Sequence, residues 1–187
     1  MPVAFILDFD GATSAQYDAV IEEMQLGGRT PPGALYHAAG PTETGWRVVD
    51  VWETDEAFQD FTARTVAPAT QAHGLAEPRV QRLEVAQVRE GGSAGSDAAL
   101  LQVVRMPGVT AETFHAADAQ VLPLPDEIVF HVNGPDEGGW FVIDTWTSKE
   151  ARDAFLEERV RPAFETAGLT GPPAFEDMSL HATMMRA

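Results

Sequence analysis

The sequence predicts an α+β protein made of two tandem β-α-β-β-α-β repeats. Three observations carry that prediction: a gapless internal repeat, the same order of strand and helix patterns in each copy, and a short Gly/Ser-rich joint between them. Laid over His131 to Leu169, the segment His37 to Leu75 gives 17 identities in 39 positions at a constant offset of 94. The matches include His37/His131, Gly45-Trp46/Gly139-Trp140, Asp50/Asp144, Trp52/Trp146, Phe61/Phe155 and Pro68/Pro162. Upstream, Gly11, Thr13 and Tyr17 match Gly108, Thr110 and Phe114 at an offset of 97. Residues 1–89 and 98–187 therefore read as two copies, and 90–97, EGGSAGSD, as a flexible linker.

Each element follows from its residues. An apolar run at 3–9, and again at 99–105, suits a buried first strand. Helices are expected over 14–24 and 111–121, and second strands over 35–39 and 127–133. A Gly-Pro loop (Gly40-Pro41, Gly134-Pro135) should return the chain into third strands at 46–53 and 140–147. Thr54 and Ser148 are the expected N-caps of the second helix, with Asp55, Glu56 and Glu150 favourably placed in its first turn. Phe58, Phe61 and Val66, or Phe155 and Val160, give that helix an apolar side. Pro68 and Pro162 should break or restart it before Gly74 and Gly168 stop it. One fourth strand is expected to close each copy, at 80–88 and 178–185. This order is the ferredoxin-like split unit. Its sheet carries helices on one face only, so the two copies are expected to cover each other sheet to sheet, as a fused pseudo-dimer that is monomeric or a homodimer.

Composition narrows the function classes. Twenty-nine acidic residues against 12 basic ones give the 187-residue chain a net charge of −17, which repels phosphate and makes nucleic acid and anionic membrane poor partners. The absence of cysteine removes disulfides, thiolate catalysis and Cys-ligated metal sites. The start reaches Asp8 and Asp10 without a basic region, so it reads as a strand rather than a signal peptide, and a cytoplasmic location is expected. Five histidines without a helical i, i+4 pair, and no strand–turn–helix glycine loop, lead to the expectation of no metal and no cofactor.

The run Gly-Trp-x-Val-x-Asp-x-Trp, followed by Glu-Ala-x-x-x-Phe and a Pro-Ala-x-x-x-x-Gly-Leu helix end, resembles the antibiotic biosynthesis monooxygenase-like proteins of the dimeric α/β-barrel superfamily, here as a tandem fusion. The resemblance implies one barrel with a central cavity. It also implies a cofactor-independent monooxygenase acting on an aromatic or polyketide-type small molecule, with cyclisation or isomerisation as related reactions. A haem-degrading branch of the family uses an Asn–Trp–His set with its Asn near the first strand. The one asparagine here, Asn133, is on the second strand of copy two, which disfavours that branch.

Alternation places the candidate chemistry. Ile128, Phe130 and Val132 form a wholly apolar set that suits the helix-covered face, which would put His131 and Asn133 on the inter-sheet face. If opposed residue numbers in the hairpin sum to an odd total, His131 shares a face with Trp140, Asp144 and Trp146 and can lie opposite Asp144. Copy one would repeat this with His37, Asp50, Trp46 and Trp52. The catalytic candidates are thus His37, Asp50, His131 and Asp144, a carboxylate fixing an imidazole as general base. The substrate-binding candidates are Trp46, Trp52, Trp140 and Trp146 as flat walls, with Tyr36, Arg47 and Asn133 as residues that differ between copies. The same pair also serves as a purely structural cross-strand hydrogen bond. An accessory small-molecule-binding protein and a filled structural barrel therefore stand beside the enzyme reading.

Overall fold

The computed structural model describes residues 1–93, 98–169 and 171–186. Residues 94–97 of the expected linker, Thr170 and Ala187 lie outside the described residues. The first half runs β1 (Val3–Asp10), α1 (Ser14–Met24), β2 (Ala34–Pro41), β3 (Gly45–Trp52), α2 (Asp55–Phe61), a π-helical turn (Thr62–Val66), α3 (Ala67–Ala72), β4 (Arg79–Glu84) and β5 (Gln87–Glu90). The second repeats it as β6 (Leu100–Pro107), α4 (Ala111–Val121), β7 (Ile128–Asp136), β8 (Gly139–Trp146), α5 (Lys149–Phe155), a π-helical turn (Leu156–Val160), α6 (Arg161–Thr166), β9 (Ala174–Ser179) and β10 (Ala182–Met185).

The helix ends follow their sequence signals. Thr13 caps α1 in a reciprocal box with Gln16, while Thr54 and Ser148 accept from the backbone N–H groups of Ala57 and Ala151. Pro68 and Pro162 stand in the first turn of α3 and α6. Each lacks the N–H that would bond four residues back, and the ring crowds that carbonyl. The backbone widens into a π-helical turn just before each proline instead of breaking. The Gly-Trp pair at the start of β3 and β8 is a close-approach motif. A Cβ at Gly45 would stand 2.1 Å from the Phe9 carbonyl oxygen, and one at Gly139 would stand 2.3 Å from that of Met106.

Two expectations change. The Gly-Pro pairs are not loops, because Gly40-Pro41 and Gly134-Pro135 continue β2 and β7, paired with Arg47-Trp46 and Phe141-Trp140. The expected single fourth strand is two strands, β4 and β5 in one copy and β9 and β10 in the other, lying in different sheets. All four pieces are edge strands, with side chains largely exposed in β4 and β9 and half-buried in β5 and β10. Their apolar pattern therefore carries no mark of the change of partner.

The chain forms two compact units, Met1–Leu83 with Ser179–Ala187, and Glu84–Met178. The first has a five-stranded sheet in the order β10-β2-β3-β1-β4, the second one in the order β5-β7-β8-β6-β9. In the first unit Val3, Phe5, Leu7 and Phe9 of β1 join Trp46 and Trp52 of β3 under Tyr17 of α1 and Phe58 of α2. In the second, Val104, Met106, Trp140 and Val142 meet Phe114 of α4, and Leu100, Ile128 and Trp146 meet Val121, Phe155 and Ala163. Among the described residues no helix is long and apolar enough to cross a membrane.

Because β10 supplies an edge of the first unit's sheet, pairing Ala182–Met185 with Ala39–Tyr36, deleting residues 181–187 should lower the melting temperature by about 5–10 °C. A melt followed by circular dichroism checks this. An unchanged midpoint would show that β10 adds nothing to that sheet.

Candidate active site

The register sets the centre of each unit. His37 pairs with Asp50 across β2 and β3, and His131 with Asp144 across β7 and β8. The side chains meet, with Nδ1 to Oδ1 distances of 2.7 Å for His37–Asp50 and 2.6 Å for His131–Asp144. A carboxylate only accepts, so Nδ1 carries the proton and Nε2 presents a lone pair.

Both pairs face the helices, not the opposite side of the sheet as expected. His131 and Asp144 line a cavity together with Phe114 of α4 and Phe164 of α6. His37 and Asp50 line one with Tyr17 of α1 and Phe58 of α2. The wholly apolar set, Phe130 and Val132 with Phe141 and Ile143, occupies the helix-free face and is buried there. The helix side takes the polar pair because helices and side chains there can complete its hydrogen bonds. A β-bulge between Ile128 and Phe130 also returns Ile128 to the helix side, where it packs on Trp146. Alternation counted straight through that residue cannot show this.

The copies satisfy Nε2 differently. In the first unit the Tyr17 hydroxyl lies 2.8 Å from His37 Nε2. Burial, and then the carboxylates of Asp50 and Asp18, push the Tyr17 phenol well above its ordinary range. It therefore stays a donor. In the second unit the corresponding residue is Phe114, which cannot donate, and Asn133 takes over with its Nδ2 3.0 Å from His131 Nε2. The orientation of that amide is fixed, because Trp140 Nε1–H, a donor only, reaches Asn133 Oδ1 at 3.3 Å. Ala39 stands at the matching position of the first unit. The Tyr17/Ala39 and Phe114/Asn133 exchanges thus compensate each other.

The space above the pairs differs as well. The second unit encloses about 580 Å³, the first only about 70 Å³. In the first unit Phe5, opposite Asp50, stacks on Phe58 with ring centroids 3.6 Å apart. In the second, Gln102 holds the Phe5 position opposite Asp144 and Arg152 that of Phe58. Both turn to Asp177. Gln102 Nε2 donates to Oδ1 at 2.9 Å, and Arg152 forms a two-point contact at 2.8 and 2.9 Å. Burial would raise the Asp177 carboxyl, but the hydrogen bonds from Arg152 and Gln102 outweigh it and hold it below the usual carboxylate range. With both residues drawn aside, the cavity is left unfilled.

The other expected residues are distributed unevenly. Trp46 and Trp52 line the small cavity, whereas Asn133, Trp140 and Trp146 do not line the large one and instead pack or hydrogen-bond beside it. Tyr36 lies on the face away from His37, and Arg47 bonds Asp8 there at 2.6 Å. Neither joins the pair. The two cavities lie between each sheet and its own helices. Gln102 and Tyr17 escaped the sequence reading as site residues. Gln102 did leave a signal, as the polar residue within the run Leu100–Val104. His131 is the one histidine among the large cavity's lining residues, and both its nitrogens are engaged, Nδ1 with Asp144 and Nε2 with Asn133. Among the described residues no three His, Asp or Glu side chains are grouped to hold a metal.

No family profile matches the chain, and no curated relative does. Solved structures do. A candidate monooxygenase from Lactobacillus acidophilus superposes with a TM-score of 0.73 at 12% identity, covering 100% of this chain and 97% of that one. One from Fusobacterium nucleatum gives 0.71 at 12%, covering 100% and 95%. A heme-binding protein from Thermus thermophilus gives 0.57 at 10%, covering 96% and 90%. At such identities the likeness shows the fold: α+β, two ferredoxin-like units, of the dimeric α/β-barrel type.

The raised Tyr17 phenol makes a signed prediction. The unfolded chain gives up this proton near pH 10 while the folded one keeps it. Stability is therefore fully present below that pH and falls as pH rises above it. Denaturant midpoints from pH 8 to 11 should decline above pH 10, and the decline should be shallower in Tyr17→Phe. Parallel curves for the two proteins would refute the assignment.

Proposed function

We propose that the protein is a cofactor-independent, monooxygenase-like enzyme acting on an aromatic or polyketide-type small molecule in the second unit's cavity, with His131 and Asp144 as its base. One observation carries this reading: the same His–Asp pair lies beneath about 580 Å³ of space in one unit and about 70 Å³ in the other. A volume of that size suits a drug-sized ligand, and Phe114, Phe155, Phe164, Val104 and Val142 give it apolar walls. Asp144 holds His131 with its lone pair on Nε2, where a substrate hydroxyl or acidic C–H would replace the Asn133 amide. Proton removal leaves an electron-rich carbanion or phenolate that can pass electrons to dioxygen. In the net reaction a CH2 group becomes C=O, one oxygen atom enters the product, and the other leaves as water with the two hydrogens. The small cavity of the first unit makes that copy a scaffold. The fold neighbours described as candidate monooxygenases support this reading. The acidic composition supports a protein without nucleic-acid or anionic-membrane partners.

A second reading, a non-catalytic small-molecule-binding or accessory protein, draws on the occupied His131 Nε2, since a base already capped by Asn133 must first be uncapped.

Oxygen uptake with a panel of phenolic and anthrone-type compounds separates the two. Turnover that falls about 100-fold or more in His131→Ala, while ligand affinity stays within about threefold, is the result expected of a base. Undiminished uptake in that variant would remove His131 from the mechanism. Stoichiometric binding without oxygen uptake in the native protein would establish the binding reading.

A further inference from the structure

The floor of the large cavity is a polar row across three neighbouring strands: Gln102 on β6, Asp144 on β8 and His131 on β7, each opposite the next. Asp144 and His131 satisfy each other. Gln102 does not fit that pattern. It is fully buried in the run Leu100–Val104, its Nε2 donates to Asp177 Oδ1, and its Oε1 has no hydrogen-bond partner. The carboxylate of Asp177 can only accept, so the amide cannot turn round, and the orphaned atom is fixed as an acceptor. A buried acceptor left unmade costs stability. The first unit carries Phe5 at the same register, a side chain with no polar atom to satisfy.

The charges around the cavity limit it further. Of its lining carboxylates, Asp118 is paired with Arg89, Asp153 with Lys149 and Arg152, and Glu157 with Arg161, while Asp144 is bonded to His131. These cations are already engaged, so none of them stands ready to receive an anionic ligand in a largely apolar space.

We infer that the second unit's cavity selects uncharged aromatic ligands bearing a hydroxyl or N–H donor, and that Gln102 Oε1 is the atom that reads that donor. The inference rests on the reading of this cavity as the binding site and adds its specificity determinant. A ligand that donates to Gln102 completes the hydrogen bond that this amide leaves open. A ligand of the same shape without a donor leaves it unmade after water has been expelled, and is discriminated against for that reason.

Three fluorescent probes of one shape test this: 9-phenanthrol, 9-methoxyphenanthrene and phenanthrene-9-carboxylate, titrated into the native protein and into Gln102→Leu. Native protein should bind the phenol about tenfold more tightly than the methyl ether, and the carboxylate more weakly than either. In Gln102→Leu the phenol and ether should bind within about twofold of each other. Equal affinities for phenol and ether in the native protein would overturn the inference, whatever the variant does. A tenfold preference that persists in Gln102→Leu, or in Gln102→Met if the leucine variant does not fold, would remove Gln102 as the reader. Val142→Trp, which fills the cavity, tests the underlying site separately. If it abolishes binding while Gln102→Leu keeps the preference, the cavity stands and Gln102 falls. If it leaves phenanthrol binding intact, or if no probe binds native protein, the site itself is wrong and the inference goes with it.

Discussion

A carboxylate placed at mid-strand in the middle of a sheet, under helices, must be given a donor, because neither water nor bulk counterions reach it freely. Asp50 and Asp144 are such groups, and the cross-strand histidines answer them. Much else follows from that contact. Donation from Nδ1 leaves a lone pair on Nε2 that itself needs a partner in a dry interior. The first copy reaches up to helix α1 for Tyr17, and the second reaches along its own strand to Asn133. The first solution pins helix and sheet together through a phenol. The second places Phe114 there, ties α4 to the sheet through Asp118 and Arg89 of β5 instead, and leaves open space above His131.

The two units fill their interiors differently. One copy carries a well-filled interior, in which Phe5 and Phe58 stack and Trp46 packs on Tyr17, and the other has polar groups in place of aromatic volume. Gln102, Arg152 and Asp177 form a connected network that satisfies all but one of its buried atoms. A half-satisfied polar cluster is a poor way to stabilise a core. An unpartnered acceptor on a residue that lines a cavity is, by contrast, compatible with a small-molecule site.

Much of the architecture was legible because it rests on local rules. The repeat is visible as identities, helices α1 and α4 run over 14–24 and 111–121 as their caps indicate, and the His–Asp pairing needs only an odd register sum. What escaped notice depends on side chains far apart in sequence. The expected Tyr36 and Arg47 fell on the face away from His37, since a strand alternates sides and they stand one residue from His37 and three from Asp50, respectively, both odd separations. Gln102 and Asp177 are 75 residues apart, and nothing near either announces the other.

The sequence by itself determined the duplication, the order of strands and helices, the capping residues and the residue types at the centre of each sheet, because each is set by spacing within one element or one hairpin. The tertiary structure alone decided which face of the sheet the helices cover, which sheet the last strands β5 and β10 join, and which copy is hollow. Those outcomes are fixed by competition for burial and hydrogen-bond partners among elements that meet only when the chain is folded.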